Sequence, residues 1–378
     1  MGSPMVLVLP ALLAGLFAFS NWPLSHSPRR EAPDTQLDRA FFVDSMRRMV
    51  PEGGLDLYPR ETATPLYDGP TGRLYVGTRD GMLRCILRGE IVWAVKIRGG
   101  MLATPLLDKD DLYVATGGGE LVALNRITGK QRWVSEVKEE LTTQPVIADG
   151  RLYVMSSEEA VTAISLDGKL LWKFRREPGT GFTIRGNARP RVAHGLLYAA
   201  FADGNVAALT LDQGVVRWIR NVSGTGDYLD VDALEAPEDD TRIYAASAKA
   251  GLVALDARSG EPVWTYALPG ANQVMVDGAR LYASGKGALV GLTRLDGKKL
   301  WQFPLGEDRY AMAPAKTEGL LLVSVDRGPL WAIDSDTGRA RGAFEPGREG
   351  FSQGPLALRG AAMVISNTGA LYTLGLLP

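Results

Sequence analysis

A unit of strand, turn and strand that closes on tryptophan recurs roughly every 40 residues from about Pro65 to the C-terminus. It is clearest as ELVALNRITGKQRW ending at Trp133 and GLVALDARSGEPVW ending at Trp264. A period of that length decides the architecture before any catalytic motif is considered, because each copy is one supersecondary unit that cannot bury its apolar surface alone. The common pattern is x-Pro, a short apolar run, a Gly or Asp turn, an LYV-like run, a Gly turn, a VAL-like run, another Gly turn and then Trp. Four short strands per copy follow. The tryptophans fall at Trp93, Trp133, Trp172, Trp218, Trp264 and Trp301, with Phe344 in the same place of a seventh copy. An eighth copy begins at Pro355 and stops after its third strand, ALYTLGLL.

The apolar runs are short, rich in Val, Leu, Tyr and Ala, and bounded by Gly, Asp or Ser, which favours strands over helices. Gly129, Gly168, Gly260 and Gly338 sit where a hairpin needs positive φ. Four-stranded sheets packed radially bury both of their faces, and the closed ring of such sheets is an all-β propeller. The copies predict eight antiparallel blades. Because the chain ends without the fourth strand of the last blade, an N-terminal segment has to supply it. Arg39 to Ser45 (RAFFVDS) is apolar enough to close the ring, so the propeller is expected over 39–378. A competing reading makes Thr35 to Met49 an amphipathic helix capped by Asp34, with Leu37, Phe41, Met46 and Met49 on one face.

Met5 to Phe19 is apolar and of signal-peptide length, with a small-x-small site at Ala18-Phe19-Ser20. The first basic residues, Arg29 and Arg30, come after it. Residues 1–20 therefore read as a signal peptide or an apolar anchor, 21–38 as a linker, and the propeller as lying outside the cytoplasm. A net charge of −1 without any Lys/Arg run argues against a nucleic-acid partner, since neutralising phosphates requires a clustered basic surface.

Catalytic chemistry is sparse. His26 lies in the N-terminal tail and His194 beside a turn glycine, so no histidine cluster binds metal or serves a triad. Asp149, Asp167, Asp277 and Asp296 occupy turn positions, where Asx side chains bond their own backbone. The Gly-rich stretch from Ala115 to Gly119 joins two strands rather than a strand and a helix, and Cys85, the only cysteine, sits in a strand as a small hydrophobe. No catalytic, cofactor or metal site is expected. The recurring tryptophans read as blade-packing residues rather than ligand platforms.

Two connections depart from the repeat. From Trp93 to Pro105, Trp133 to Pro145 and Trp301 to Pro314 the step is 12 or 13 residues, whereas from Trp172 to Pro190 it is 18 and contains GFTIRGNARP. The stretch after Trp218 is also long, SGTGDYLDVDALEAP from Ser223 to Pro237, and lacks the x-Pro start in register. Connections from outer to inner strands all emerge on one face of a propeller, which predicts that the two loops are neighbours. Phe182 and Ile184 offer apolar anchors, Arg185 a planar bidentate donor, and Asp230 and Asp232 carboxylates nearby. Apolar anchors beside a few charges suit a protein-binding hot spot. The alternative is internal: Arg185 pairs with Asp230 or Asp232 while Phe182 and Ile184 cover the blade top.

The repeat with its TGK-x-x-W endings resembles the pyrroloquinoline-quinone-type repeat of quinoprotein dehydrogenases and several non-enzymatic proteins. Within that group the FTIRG and YLDVD loops, together with FSQGPLALRG at the last blade, resemble the BamB family of the outer-membrane β-barrel assembly machinery. The resemblance runs from about Pro65 to Pro378. It implies a monomeric, non-enzymatic periplasmic scaffold at the outer membrane that binds a POTRA domain of the central assembly subunit and helps present unfolded outer-membrane proteins. Carried over by position, its contacts are Phe182, Ile184, Arg185, Asp230 and Asp232, with leucine usual in the family at the first two. Members typically carry a lipobox cysteine, and none lies near Ser20, which implies membrane association through the N-terminal segment or through partners. Two other readings stay open: a quinone- and calcium-dependent dehydrogenase, which commonly needs a vicinal cysteine pair, and a propeller for another envelope partner or a polysaccharide.

Overall fold

The computed structural model describes residues 40–50, 60–176, 188–347 and 349–377. Among them there is no helix, and the strands form eight four-stranded sheets whose neighbours run antiparallel in sequence order. Blade 1 comprises Leu66–Asp68, Arg73–Gly77, Met82–Leu87 and Glu90–Lys96 from the inside outward. Blades 2 to 7 repeat that order. The inner strands are short and the two middle strands almost wholly buried, while the outer strands alternate between exposed and half-buried residues.

Blade 8 is closed from the N-terminal side. Phe41–Arg48 pairs antiparallel with Ala370–Leu376, from Phe41 opposite Leu376 to Arg48 opposite Ala370, with a bulge between Val43 and Ser45. The closing strand thus reaches three residues beyond the Ser45 expected as its end, and the helical alternative over Thr35 to Met49 is displaced. A helix would leave the edge of Ala370–Leu376 unpaired. The strand instead lays the Phe42 ring over Gly375, where an added Cβ would stand 2.0 Å from Cζ. Its flanks are tied down as well: Ala40 packs between blades 7 and 8, and Met49 and Val50 between blades 8 and 1.

The ring has no single core. The buried apolar residues fall into clusters that each straddle one seam between neighbouring blades, such as Tyr75, Leu83 and Cys85 with Leu112, Val114 and Leu124 between blades 1 and 2. The signature tryptophan lies at these seams. Trp133 rests on Gly168 in the next blade, where a Cβ would come within 2.8 Å of the indole, and its Nε1 donates to Leu166 O at 2.9 Å. Gly168 also has φ 87°, so the position excludes other residues twice over. The same contact joins Trp93 to Gly129, Trp172 to Gly214, Trp218 to Gly260, Trp264 to Gly297 and Trp301 to Gly338. A tyrosine from the same blade tilts against each indole, and Tyr75 and Trp93 donate to one carbonyl, Arg126 O, both at 3.2 Å. Phe344 can replace tryptophan in blade 7 because it packs edge-on against Tyr372 of blade 8, with ring centroids 4.9 Å apart.

The seam between blades 5 and 6 varies the theme. The indole nitrogen of Trp264 is buried with no hydrogen-bond acceptor among the described residues. A charged network stands beside it: Asp240 accepts from Arg294 Nε at 2.7 Å, Arg242 Nε at 2.9 Å and the Tyr244 hydroxyl, while Arg294 also reaches Asp239 at 2.7 Å. Burial alone would push the Asp240 carboxyl up, but these bonds outweigh it and hold the group below the usual carboxylate range.

At the join between first and last blades, fully buried Glu61 accepts from Arg79 N at 2.8 Å and Arg79 Nη1 at 2.9 Å, and that guanidinium also reaches Asn367 O at 2.8 Å. Desolvation dominates, and the arginine only partly offsets it, so the Glu61 carboxyl is pushed up to about 7.

Candidate functional site: one face of blades 3 to 5

The first long connection leaves the outer strand Leu170–Arg175 of blade 3. That strand points a run of cations at acidic partners: Lys173 and Arg175 both reach Glu139, which also accepts from Ser156 Oγ at 2.7 Å. Burial raises the Glu139 carboxyl, and the Lys173 and Ser156 bonds more than reverse it, holding it below its ordinary range. Arg176 then forks onto Asp203, with Nε at 3.0 Å and Nη2 at 2.6 Å, and its guanidinium lies 5.8 Å from the Phe201 ring centroid. Phe182, Ile184 and Arg185 lie outside the described residues. The chain is described again from Ala188, which is buried in the seam between blades 4 and 5.

The second long connection is built on the same turn of blade 4. Val222 N donates to Gly204 O at 2.8 Å and Val231 N to Phe201 O at 3.4 Å, so the Phe201–Gly204 turn is touched by both connections. The described ends of the two connections therefore meet at one turn. Asn221 Oδ1 receives Ser223 N at 3.1 Å and Gly224 N at 2.6 Å, an Asx cap that starts the loop. Ser223 Oγ donates to Leu229 O at 2.6 Å and lies 2.7 Å from Ser247 Oγ, which draws the two ends of the loop together. Between those ends residues 224–228 project, and Lys249 Nζ donates to Thr225 O. Next to the Leu229 end, Tyr228 is 52% exposed with φ 58°, a left-handed conformation that sequence reasoning did not single out. The signal was present as a lone aromatic in a Gly- and Asp-rich loop.

Asp230 and Asp232 lie behind this projection rather than on it. Asp230 is 2% exposed, and its carbonyl accepts from Ala248 N at 3.0 Å. Asp232 is half-buried in the inner strand Val231–Glu235, where a register shift between Val231 and Ala233 interrupts the pairing. It faces a central cavity of about 620 Å³ to which every blade contributes wall residues. Burial, and then the neighbouring Asp230 carboxylate, push the Asp232 carboxyl up to about 7.

The quinone and calcium pair carried by some proteins of this architecture finds no matching residues here. Among the described residues no three His, Cys, Asp or Glu side chains come together, and the buried Cys85 has no second cysteine to join it. The wall facing the cavity mixes the arginines Arg189 and Arg191, Lys316, the carboxylates Asp232 and Glu235, amides, threonines and apolar residues.

Residues 79–238 and 229–345 match a family model described as "Outer membrane protein assembly factor BamB". A curated protein of that name from Yersinia pestis is 26% identical over 308 residues, covering 79% of this chain and 68% of the relative. The crystal structure of BamB from Moraxella catarrhalis superposes with a TM-score of 0.75 at 19% identity, over 89% of this chain and 99% of that one. A quinohemoprotein alcohol dehydrogenase from Comamonas testosteroni shares the fold with a TM-score of 0.70 at 13% identity, over 89% of this chain and 76% of that one.

Proposed function

The chain belongs to the BamB family of outer membrane protein assembly factors, and we propose that it acts as a non-enzymatic scaffold of that machinery, in the periplasm against the outer membrane. Its partner on this reading is a POTRA domain of the central assembly subunit. One observation carries the choice of surface: the two connections that break the repeat both anchor on the Phe201–Gly204 turn, at a single face of blade 4. Phe182, Ile184 and Arg185 are proposed as direct contacts, joined by the exposed ring of Tyr228. Asp230 and Asp232 act from behind, the first as a buried anchor of the second loop and the second from the cavity wall.

A rigid blade presenting aromatic, aliphatic and arginine side chains on its loops is suited to a protein partner, because such residues concentrate binding energy where water is excluded.

The test is capture of the central assembly subunit from a native envelope by the full chain. Arg185→Glu is expected to remove an interfacial charge partner at a cost of about 2–5 kcal/mol, enough to abolish recovery while the melting curve stays unchanged. Undiminished recovery by a folded Arg185→Glu variant would sink the proposed surface.

A further inference from the structure

The x-Pro step of the repeat sets a ring of side chains around the central cavity. Thr64, Thr104, Gln144, Ala313 and Gly354 each precede the proline of their blade, line the cavity and are neutral; Arg189, before Pro190, is the charged exception. Two of the neutral members use this place to staple blades together: Thr64 Oγ1 donates to Gly354 O at 3.0 Å and Gln144 Nε2 to Pro105 O at 2.9 Å. Arg189 keeps only a long version of that contact, Nη2 to Pro145 O at 3.4 Å, and its Nε is buried without a hydrogen-bond acceptor among the described residues.

The other cations of the cavity wall are matched. Arg191 pairs with Glu235 at 2.5 Å and donates to Leu234 O at 2.8 Å, and Lys316 pairs with Asp277. Arg189 makes no ion pair among the described residues; the Glu235 carboxylate, already paired with Arg191, acts on it only from beyond ion-pair distance. Burial, and then the like charge of Arg191, pull its guanidinium down to about 10 against the weaker opposing effect of Glu235, so it remains cationic at neutral pH. A partly desolvated cation of this kind is costly unless an anion meets it. Its planar fork matches the paired oxygens of a carboxylate or phosphate. The 620 Å³ of the cavity falls within the roughly 300–1,000 Å³ of small-molecule sites.

We propose that Arg189 anchors a small oxyanion, of the carboxylate or phosphate class, inside the central cavity of the propeller. This site lies apart from the loop contacts proposed at Phe182, Ile184, Arg185 and Tyr228, although Asp232 borders the same cavity, and anion binding and partner capture are read by different measurements.

The experiment titrates the full chain with sodium phosphate and, separately, sodium succinate at constant ionic strength, with sodium chloride as reference, and follows calorimetric heat and melting temperature. Wild type is expected to bind at least one of the two saturably, with a Kd of about 1 mM, and the anion that saturates identifies the class. Arg189→Gln should weaken binding at least tenfold. Arg189→Lys should fall between, because a point charge keeps the attraction but loses the fork. A wild type that responds to both anions only as it does to chloride overturns the proposal, as does a folded Arg189→Gln variant that binds unchanged. Should Arg189→Gln not fold, the Arg189 Nε–H resonance of 15N-arginine-labelled wild type decides: movement on adding either anion supports the site, and a stationary signal overturns it.

Discussion

Trp301 and Tyr228 are both large aromatics at blade boundaries, but the first is 8% exposed and the second 52%. Trp301 lies on Gly338 of the next blade and donates to Ser335 O at 3.1 Å, one instance of a contact made at six seams. Tyr228 stands exposed in a loop whose ends are drawn together by Ser223 and whose start is capped by Asn221. Positions inside the repeat are committed to closing the ring. Positions outside it are free of that duty, and a scaffold of eight seams holds them in place for contact with something else.

The largest separation between the two regions should appear in unfolding. Trp301→Ala is expected to cost about 3–5 kcal/mol, the usual range for removing a buried tryptophan, measured as a lower denaturant midpoint. Tyr228→Ala should stay within about 0.5 kcal/mol of wild type, as exposed substitutions do, while reducing capture of the assembly partner. Equal losses of stability in both variants would erase the distinction.

A middle-sized effect is expected at Asp232, which joins the irregular connection to the cavity wall. Burial and Asp230 push its carboxyl up to about 7 in the fold, from the 3.8 of an ordinary aspartate. Between those values the folded state holds the proton more tightly than the unfolded one, so wild-type stability falls as pH rises through the window. Asp232→Asn removes that loss. The variant should be more stable than wild type at pH 8, by on the order of 1 kcal/mol once screening at a half-buried site is allowed for, and the advantage should vanish by about pH 4. A gap that stays constant with pH would show that Asp232 ionises as an ordinary surface carboxylate.

The smallest effect sharpens the comparison within the seams themselves. Trp301→Phe gives up an indole hydrogen bond to Ser335 O, whereas Trp264→Phe gives up none among the described residues. Trp301→Phe should therefore cost about 0.5–1.5 kcal/mol more than Trp264→Phe, read from paired denaturant melts. The reverse order would mean that the charged network around Asp240 and Arg294 depends on the Trp264 indole.

Blade number, strand order and the seam role of tryptophan were legible because each is local and repeated: a 40-residue period, glycines at hairpin positions and one aromatic per copy. The two irregular connections were legible as departures from that constancy. The places of Asp230 and Asp232 were not. Both fall in a stretch that reads as a long connection, yet the inner strand begins at Val231 and its pairing slips between Val231 and Ala233, leaving Asp232 on the cavity wall. A register slip of that kind depends on the neighbouring strand, so no local pattern announces it.

The sequence by itself determined that the chain makes a ring of small sheets, because four short strands can bury neither face without neighbours. Gly168 shows where its reach ends. Its glycine is readable as a turn residue, but only the assembled seam shows the Trp133 indole so close that any Cβ would collide with it. Tertiary structure likewise decided between strand and helix for Phe41–Arg48, left Tyr228 exposed, and set Arg189 at the cavity without an ion pair among the described residues. Each of these depends on which distant residues become neighbours when the ring closes, and spacing along the chain carries no record of that.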